Sequence, residues 1–247
     1  YVNYSQVVMK RINLANSREW YEDTRQAQTY LDLMNSIYGS GIIHSEEALL
    51  KDNLNEICLL SPLNLHYIDL GPGDGKKTLL LCDALHKRHK LSVYTAVDVQ
   101  QKFLEIEKII QKKFKLLTRV CNCSFEKFLT ENQTFQDTSP WNWRFIYLGS
   151  TYGNYAQGTI DKLLSDFMFG QDVVYFSSGL RPRNVDELVS AYHSTIPLFK
   201  PLVRKHSLPK GGKLKAIFNE ETSSIEQVYE QGDVVYVLGT SKKHSVD

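Results

Sequence analysis

A chain of 247 residues with 42% apolar side chains suits one α/β domain with a modest accessory region. Its 29 Lys+Arg against 28 Asp+Glu leave a net charge of +1, which gives no basic face of the kind that nucleic acid requires. No apolar stretch reaches spanning length and no signal peptide opens the chain, so neither a membrane nor an export route is expected and the location reads as cytoplasmic. The four cysteines, Cys58, Cys82, Cys121 and Cys123, lack the further ligands of a zinc site. They read as reduced, buried thiols, and no metal is expected.

In chain order, residues 1–60 read as mostly helical, with apolar periodicity over Arg18–Met34 and Ser45–Leu60 and a break at Tyr38-Gly39-Ser40-Gly41. Leu65–Leu70 reads as a buried strand, and Lys76–Lys87 as an amphipathic helix. Then come a strand over Leu91–Val97, a helix over Gln100–Phe114, a strand over Leu116–Cys123 and a short helix over Ser124–Leu129. Arg144–Leu148 reads as a strand, Gly149–Asn154 as a turn, Gly158–Met168 as a helix, Asp172–Ser177 as a strand and Asn184–Leu198 as a helix. The tail reads as two strands, Lys213–Glu220 and Val228–Leu238. Alternating β and α elements imply a parallel sheet covered on both faces, and the late strands imply an antiparallel edge hairpin.

The first buried strand runs into Ile68-Asp69-Leu70-Gly71-Pro72-Gly73-Asp74-Gly75. Glycines here let the backbone turn tightly and approach a ligand without Cβ clashes. Asp69 sits at the carboxyl end of the strand, where ligands of open α/β sheets bind, and its carboxylate suits a cationic amino-acid moiety. A dinucleotide fingerprint is G-x-G-x-x-G. In this chain the third glycine comes one residue early, and Asp74 adds negative charge where a pyrophosphate would lie. An uncharged nucleoside therefore fits better than a dinucleotide. Val97-Asp98-Val99 ends the second buried strand, with Asp98 placed to accept hydrogen bonds from ribose hydroxyls.

A more specific signal follows the fourth strand. Leu148-Gly149-Ser150-Thr151-Tyr152-Gly153-Asn154-Tyr155 resembles the L-G-S-T-I-G-N-F signature of the histidine-specific methyltransferase family. Tyr94-Thr95-Ala96-Val97-Asp98-Val99 is similar to that family's Y-x-P-V-D-V, Leu188-Val189-Ser190-Ala191-Tyr192 to its L-x-A-A-Y, and Gly232-Asp233-Val234-Val235 to its G-E-T-I. The resemblance implies a class I methyltransferase on an α/β, Rossmann-like, mostly parallel seven-stranded sheet. It gives residues 61–247 as the methyltransferase domain and 1–60 as an N-terminal helical cap. The implied cofactor is S-adenosylmethionine, held by Asp69, Gly71, Gly73, Asp98, Ser124, Phe125 and Gly149. Ser124 stands where the family has an adenine-binding Asp. Asn154 would hold the amino or carboxylate group of a small-molecule substrate, Tyr192 would orient it, and Tyr38 is the counterpart of a tyrosine in the family's P-E-Y-Y-P-T-R.

The family's T-E-x-S-x-K, whose Glu and Ser read an imidazole, matches Val237-Leu238-Gly239-Thr240-Ser241-Lys242. In that register Leu238 replaces the imidazole-binding Glu, and free histidine is not the expected substrate. Methyl transfer from a sulfonium needs positioning and dryness more than a strong base. The sequence points to N-methylation of a small amino-acid-like or amine metabolite. It leaves open a protein or hydroxyl acceptor, and a non-catalytic S-adenosylmethionine-binding subunit.

Overall fold

The computed structural model describes residues 9–21, 23–34, 44–132, 143–155, 158–170, 172–178 and 184–243. Strand β1 (Lys10–Asn13), a 3₁₀ turn at Ser17–Trp20, helix α1 (Thr24–Leu33) and helix α2 (His44–Leu60) precede a regular alternation. That alternation runs β2 (Leu65–Leu70), α3 (Lys76–Lys87), β3 (Leu91–Asp98), α4 (Gln101–Leu104), α5 (Ile106–Phe114), β4 (Leu117–Asn122), α6 (Phe125–Glu131) and β5 (Trp143–Gly149). It continues through α7 (Thr159–Phe167), β6 (Val173–Phe176), α8 (Val185–His193) and α9 (Ile196–Lys205). The last elements are β7 (Lys213–Asn219), β8 (Ser224–Gln231) and β9 (Val234–Lys242).

Five strands pair in parallel in the order β4-β3-β2-β5-β6. All six residues of β2 are buried, because helices cover both faces of the sheet. On one face Tyr67, Tyr94 and Phe145 pack with Leu50 and Cys58 of α2, Leu81 and Leu85 of α3 and Ile110 of α5. On the other, Ile68, Leu70, Val97 and Ile146 pack with Phe128 of α6 and Leu164 and Phe167 of α7. The strand order reverses at β2, so a crevice opens beyond the carboxyl ends of β2, β3 and β5. Gly75 closes the turn into α3 with φ +76°, and a Cβ there would stand 2.5 Å from Ile106 Cδ1. Only glycine fits so tight and left-handed a turn.

The α/β, Rossmann-like class holds, but the strands do not join one seven-stranded sheet. The C-terminal strands form a second, four-stranded sheet in the order β1-β9-β8-β7. The predicted hairpin is a three-stranded meander, because Gly232 (φ +56°) turns the chain between β8 and β9. The N-terminal region is not wholly helical either. Strand β1 lies parallel to β9, with Arg11 paired to Glu226. The helix expected over Asn184–Leu198 is broken at Ser194–Thr195. Pro197, near the start of α9, has no N–H to carry the ladder on from α8. Trp20, Leu33, Leu198, Phe199, Tyr229 and Leu238 form a core that joins the N-terminal segment, α9 and the second sheet.

Candidate active site

A cavity lies in the crevice. Gly71 and Gly73 line it from the turn after β2, Asp98 and Val99 from the end of β3, Ser124 and Phe125 from the start of α6, and Thr151 and Tyr155 from the loop after β5. Five of the residues expected to hold a cofactor therefore meet around one space. A Cβ on Gly71 would lie 3.1 Å from the Phe125 ring, 3.7 Å from Thr151 Oγ1 and 3.9 Å from Asp98 Oδ2. With φ +87° as well, glycine keeps this space open.

Asp98 Oδ1 accepts the Gln100 N–H at 2.9 Å, while Oδ2 turns toward Gly71. Asn122 holds the strand end by donating to the Asp98 and Val99 carbonyls, at 2.9 Å each. Burial is the main cause that pushes the Asp98 carboxyl up to about 7, and the nearby Asp69 charge adds to it. Ser124 caps α6 by accepting the Lys127 N–H at 3.2 Å, which leaves its hydroxyl proton available to another acceptor. Phe125 and Tyr155 are neighbours, with ring centroids 6.4 Å apart and planes tilted by 39°.

Two expected cofactor residues lie outside the cavity wall. Asp69 is fully buried beneath it, where Thr78 Oγ1 donates to Oδ2 at 2.5 Å and the Tyr94 hydroxyl donates at 3.3 Å. Its carboxyl is pushed up to about 6, chiefly by burial, and among the described residues no hydrogen-bond partner meets Oδ1 within bonding geometry. Asp69 thus braces β2 against α3 and β3. Gly149 (φ +52°) faces Glu46 and the Tyr147 hydroxyl. Glu46, from α2, accepts from Lys77 Nζ at 2.6 Å and from the Tyr147 hydroxyl at 3.3 Å, and it also bonds Ser177.

The rest of the wall comes from residues that motif reading missed. Ser17, Arg18, Tyr21 and Tyr30 reach in from the N-terminal region, and Phe103 from α4. Tyr21 and Tyr30 meet edge to face at 5.0 Å, and Phe103 joins them at 6.1 and 5.6 Å. The Tyr30 hydroxyl stands 3.6 Å from where a Cβ on Gly73 would be. Burial drives both phenols far above their ordinary range, so they are neutral hydrogen-bonding groups. Their only trace in the sequence is the repeated aromatic spacing over Arg18–Met34.

The expected substrate residues lie on the adjoining side. Asn154 is half-buried in the loop after β5. Tyr192 is buried, and its hydroxyl accepts from Lys243 Nζ at 2.7 Å. Tyr38 lies outside the described residues. Leu238 does not face a substrate: it is fully buried in the core with Trp20 and Phe199, and its carbonyl accepts from Trp20 Nε1 at 3.2 Å. The ladder explains the error. Gln227 pairs with Gly239 and Val228 with Val237, so Leu238 is an extra, bulged residue. Beyond it, Ser241 and Lys243 face the loop of Asn154 and Tyr192, rather than Thr240 and Lys242.

Among the described residues, no three His, Cys, Asp or Glu side chains gather as a metal site. No described helix is long and apolar enough to cross a membrane. The family model "Histidine-specific methyltransferase, SAM-dependent" matches residues 41–243. No curated protein matches the chain significantly. Solved structures similar to it include an S-adenosylmethionine-dependent methyltransferase from Clostridium acetobutylicum, at 14% identity, 88% of this chain, 82% of that one and TM-score 0.43. Another is the SAM-dependent methyltransferase from Agrobacterium tumefaciens, at 14% identity, 79% of this chain and TM-score 0.36; this chain spans 60% of its length. A third is a putative protein-L-isoaspartate O-methyltransferase from Plasmodium falciparum in complex with S-adenosyl-L-homocysteine, at 11% identity, 83% of this chain, 73% of that one and TM-score 0.35.

Proposed function

The chain belongs to the histidine-specific, SAM-dependent methyltransferase family, and from that premise we propose that it N-methylates a small amino-acid-like or amine acceptor. One observation carries the reading: the bare α-carbon of Gly71, the Asp98 carboxylate and the Phe125 ring converge on one cavity at the sheet's switch point. This arrangement fits a nucleoside. Asp98 Oδ2 would accept from the ribose hydroxyls, and the Phe125 ring would stack on the adenine. Ser124 would donate to a ring nitrogen or accept from the exocyclic amine. Gly71, Gly73 and Gly149 would let the backbone come close, while Asp69 would fix the glycine turn from below.

S-adenosylmethionine supplies an already activated methyl group, so the chain's own work is to hold the acceptor in line and keep water away. Tyr21, Tyr30 and Phe103 would close the cavity from the N-terminal side, which supports reading residues 1–60 as a cap over a methyltransferase domain of 61–247. Asn154 and Tyr192, with Tyr38, would orient the acceptor. The tyrosines lining the cavity stay protonated, so they orient without abstracting a proton; the acceptor must arrive as its neutral amine. Neither candidate for the imidazole-reading position carries a carboxylate. Leu238 is core, and at Gly239 a Cβ would stand 2.4 Å from the Phe199 ring. This supports an acceptor other than free histidine.

The test is a methyl-transfer screen over amino acids and biogenic amines, read by release of S-adenosylhomocysteine. Turnover of at least one such amine, above that of histidine, is expected. A screen in which no amine is methylated, or histidine is the best substrate, overturns the corresponding part of the reading.

A further inference from the structure

The net charge of +1 conceals an uneven surface. The strands of the five-stranded sheet run parallel, so their starting ends share one side of the molecule, opposite the crevice. Helices α2, α3 and α5 end there, just before β2, β3 and β4. Lys87, Arg88 and Lys90 lie at the end of α3 and in the turn to β3. Lys112, Lys113 and Lys115 lie at the end of α5 and in the turn to β4. Side-chain contacts join the two groups. Lys87 and Lys113 share Asp83, at 2.6 and 3.4 Å. Lys113 Nζ stands 4.8 Å from the centre of the Phe114 ring, and His86 meets the same ring at 5.2 Å. Arg88 donates to Asn55 of α2 at 2.6 Å, and Lys90 Nζ donates to the Ser61 carbonyl. Among the described residues, Asp83 is the only carboxylate paired with any of the six cations.

Helix C-termini favour basic side chains, which accounts for part of this charge. It does not account for the leucines beside it. Leu59 and Leu60 end α2, and Leu63 follows in the loop to β2; they are 80%, 70% and 63% exposed. Ser61, whose carbonyl Lys90 holds, lies between them in the chain. Leu117, two residues past Lys115 at the start of β4, is exposed as well. Exposed apolar side chains rimmed by cations mark an interaction surface.

Charge and shape select the partner. A second copy on this face would set like charges against each other. A peptide site would sink its apolar anchors into a groove, whereas Leu59 and Leu63 protrude. An anionic bilayer meets both features in one plane. Its headgroups attract the ammonium and guanidinium groups, and leucines enter the boundary between headgroups and acyl chains. We propose that this face docks reversibly on an anionic lipid surface. The crevice opens on the opposite side, so the docked protein keeps its cavity toward water.

The test is co-sedimentation of the whole protein with vesicles of phosphatidylcholine alone, and with vesicles of phosphatidylcholine and phosphatidylserine in equal parts. Binding to the mixed vesicles should exceed binding to the neutral ones about tenfold or more, and should weaken as salt is added. The combined variant Lys87→Gln, Lys112→Gln, Lys113→Gln should bind the mixed vesicles about a hundredfold more weakly. Leu59→Ser with Leu63→Ser should weaken that binding about tenfold or more. Both variants should keep the natural affinity for S-adenosylhomocysteine, which separates the effect from misfolding. Absence of binding to the mixed vesicles at low salt overturns the proposal without any variant. So does equal binding to neutral vesicles, or binding that neither variant weakens. Binding to poly-L-glutamate but not to the mixed vesicles also overturns it, and would assign the face to an acidic polypeptide.

Discussion

The two sheets of this molecule are built in different ways. In the five-stranded sheet each strand is followed by a turn and a helix close by in the chain, and the residues proposed to hold the cofactor sit at those strand ends and turns. In the four-stranded sheet β1 pairs with β9 across nearly the whole sequence, and the residues proposed for the acceptor come from α8 and the loop after β5, against the end of β9. A local motif can specify the first kind of site because strand, turn and helix are one continuous signal. The second kind exists only when distant segments dock. On the proposed reading, the nucleoside end would be fixed by local chain geometry and the acceptor end by long-range pairing, so that substrate preference could change without disturbing the donor.

Breaking the first sheet should cost most. Arg144 and Asp172 are both buried, and Asp172 accepts Arg144 Nε at 2.7 Å and the Arg144 N–H at 2.9 Å. Asp172→Ala leaves a buried guanidinium without its partner and should destabilise the fold by about 3–5 kcal/mol in urea unfolding. A loss under about 1 kcal/mol would show that the sheet edge does not depend on this pair.

The next effect follows from Asp98. Its folded carboxyl is pushed up to about 7, against about 4 in an unfolded chain. Between those values the fold holds a proton that the unfolded chain releases. Stability without cofactor is therefore greatest below about pH 4 as far as this group is concerned, and falls as pH rises to about 7. Asp98→Asn should flatten that decline by on the order of 3 kcal/mol, judged by unfolding free energies at pH 4.5 and 7.5. Equal slopes in the two proteins would contradict the burial argument. Asp69, pushed to about 6, keeps a smaller slope of the same sign.

A smaller effect is expected for Phe125→Ala. Loss of an aromatic face against the adenine should weaken S-adenosylhomocysteine binding roughly tenfold while leaving the pH slope in place. An unchanged dissociation constant would remove Phe125 from the nucleoside site. The smallest concerns the second sheet. Arg11 is 43% exposed where it pairs with the buried Glu226, so Arg11→Lys, which keeps a positive charge beside that carboxylate, should cost about 1 kcal/mol or less. A loss above about 3 kcal/mol would make the β1–β9 docking as rigid as the parallel sheet and would erase the contrast between them.

The sequence made the first sheet legible almost to the residue: Leu65–Leu70 and Lys76–Lys87 were expected with the bounds they have. Gly71, Gly73, Asp98, Ser124 and Phe125 were readable for the same reason, since each ends a strand or lies just after one. Asp69 was harder. Neighbouring strand residues point to opposite faces, so the carboxylate beside Leu70 turns into the layer of Thr78 and Tyr94. Tyr21, Tyr30 and Phe103 have no motif and meet the glycines only through tertiary packing. The bulge at Leu238 shifts the register by one residue, which in a strand reverses every side chain after it. Lys243 and Ser241 were hidden by that reversal.

The crevice at Gly71, Asp98 and Phe125 should take the nucleoside of S-adenosylmethionine and not a dinucleotide. Calorimetric titration of the natural protein and of Asp98→Ala with S-adenosylhomocysteine and with NAD tests it most directly. S-adenosylhomocysteine should bind and NAD should not, and Asp98→Ala should weaken the former about tenfold or more. NAD binding tighter than S-adenosylhomocysteine, or an affinity for S-adenosylhomocysteine unmoved by Asp98→Ala, would contradict it.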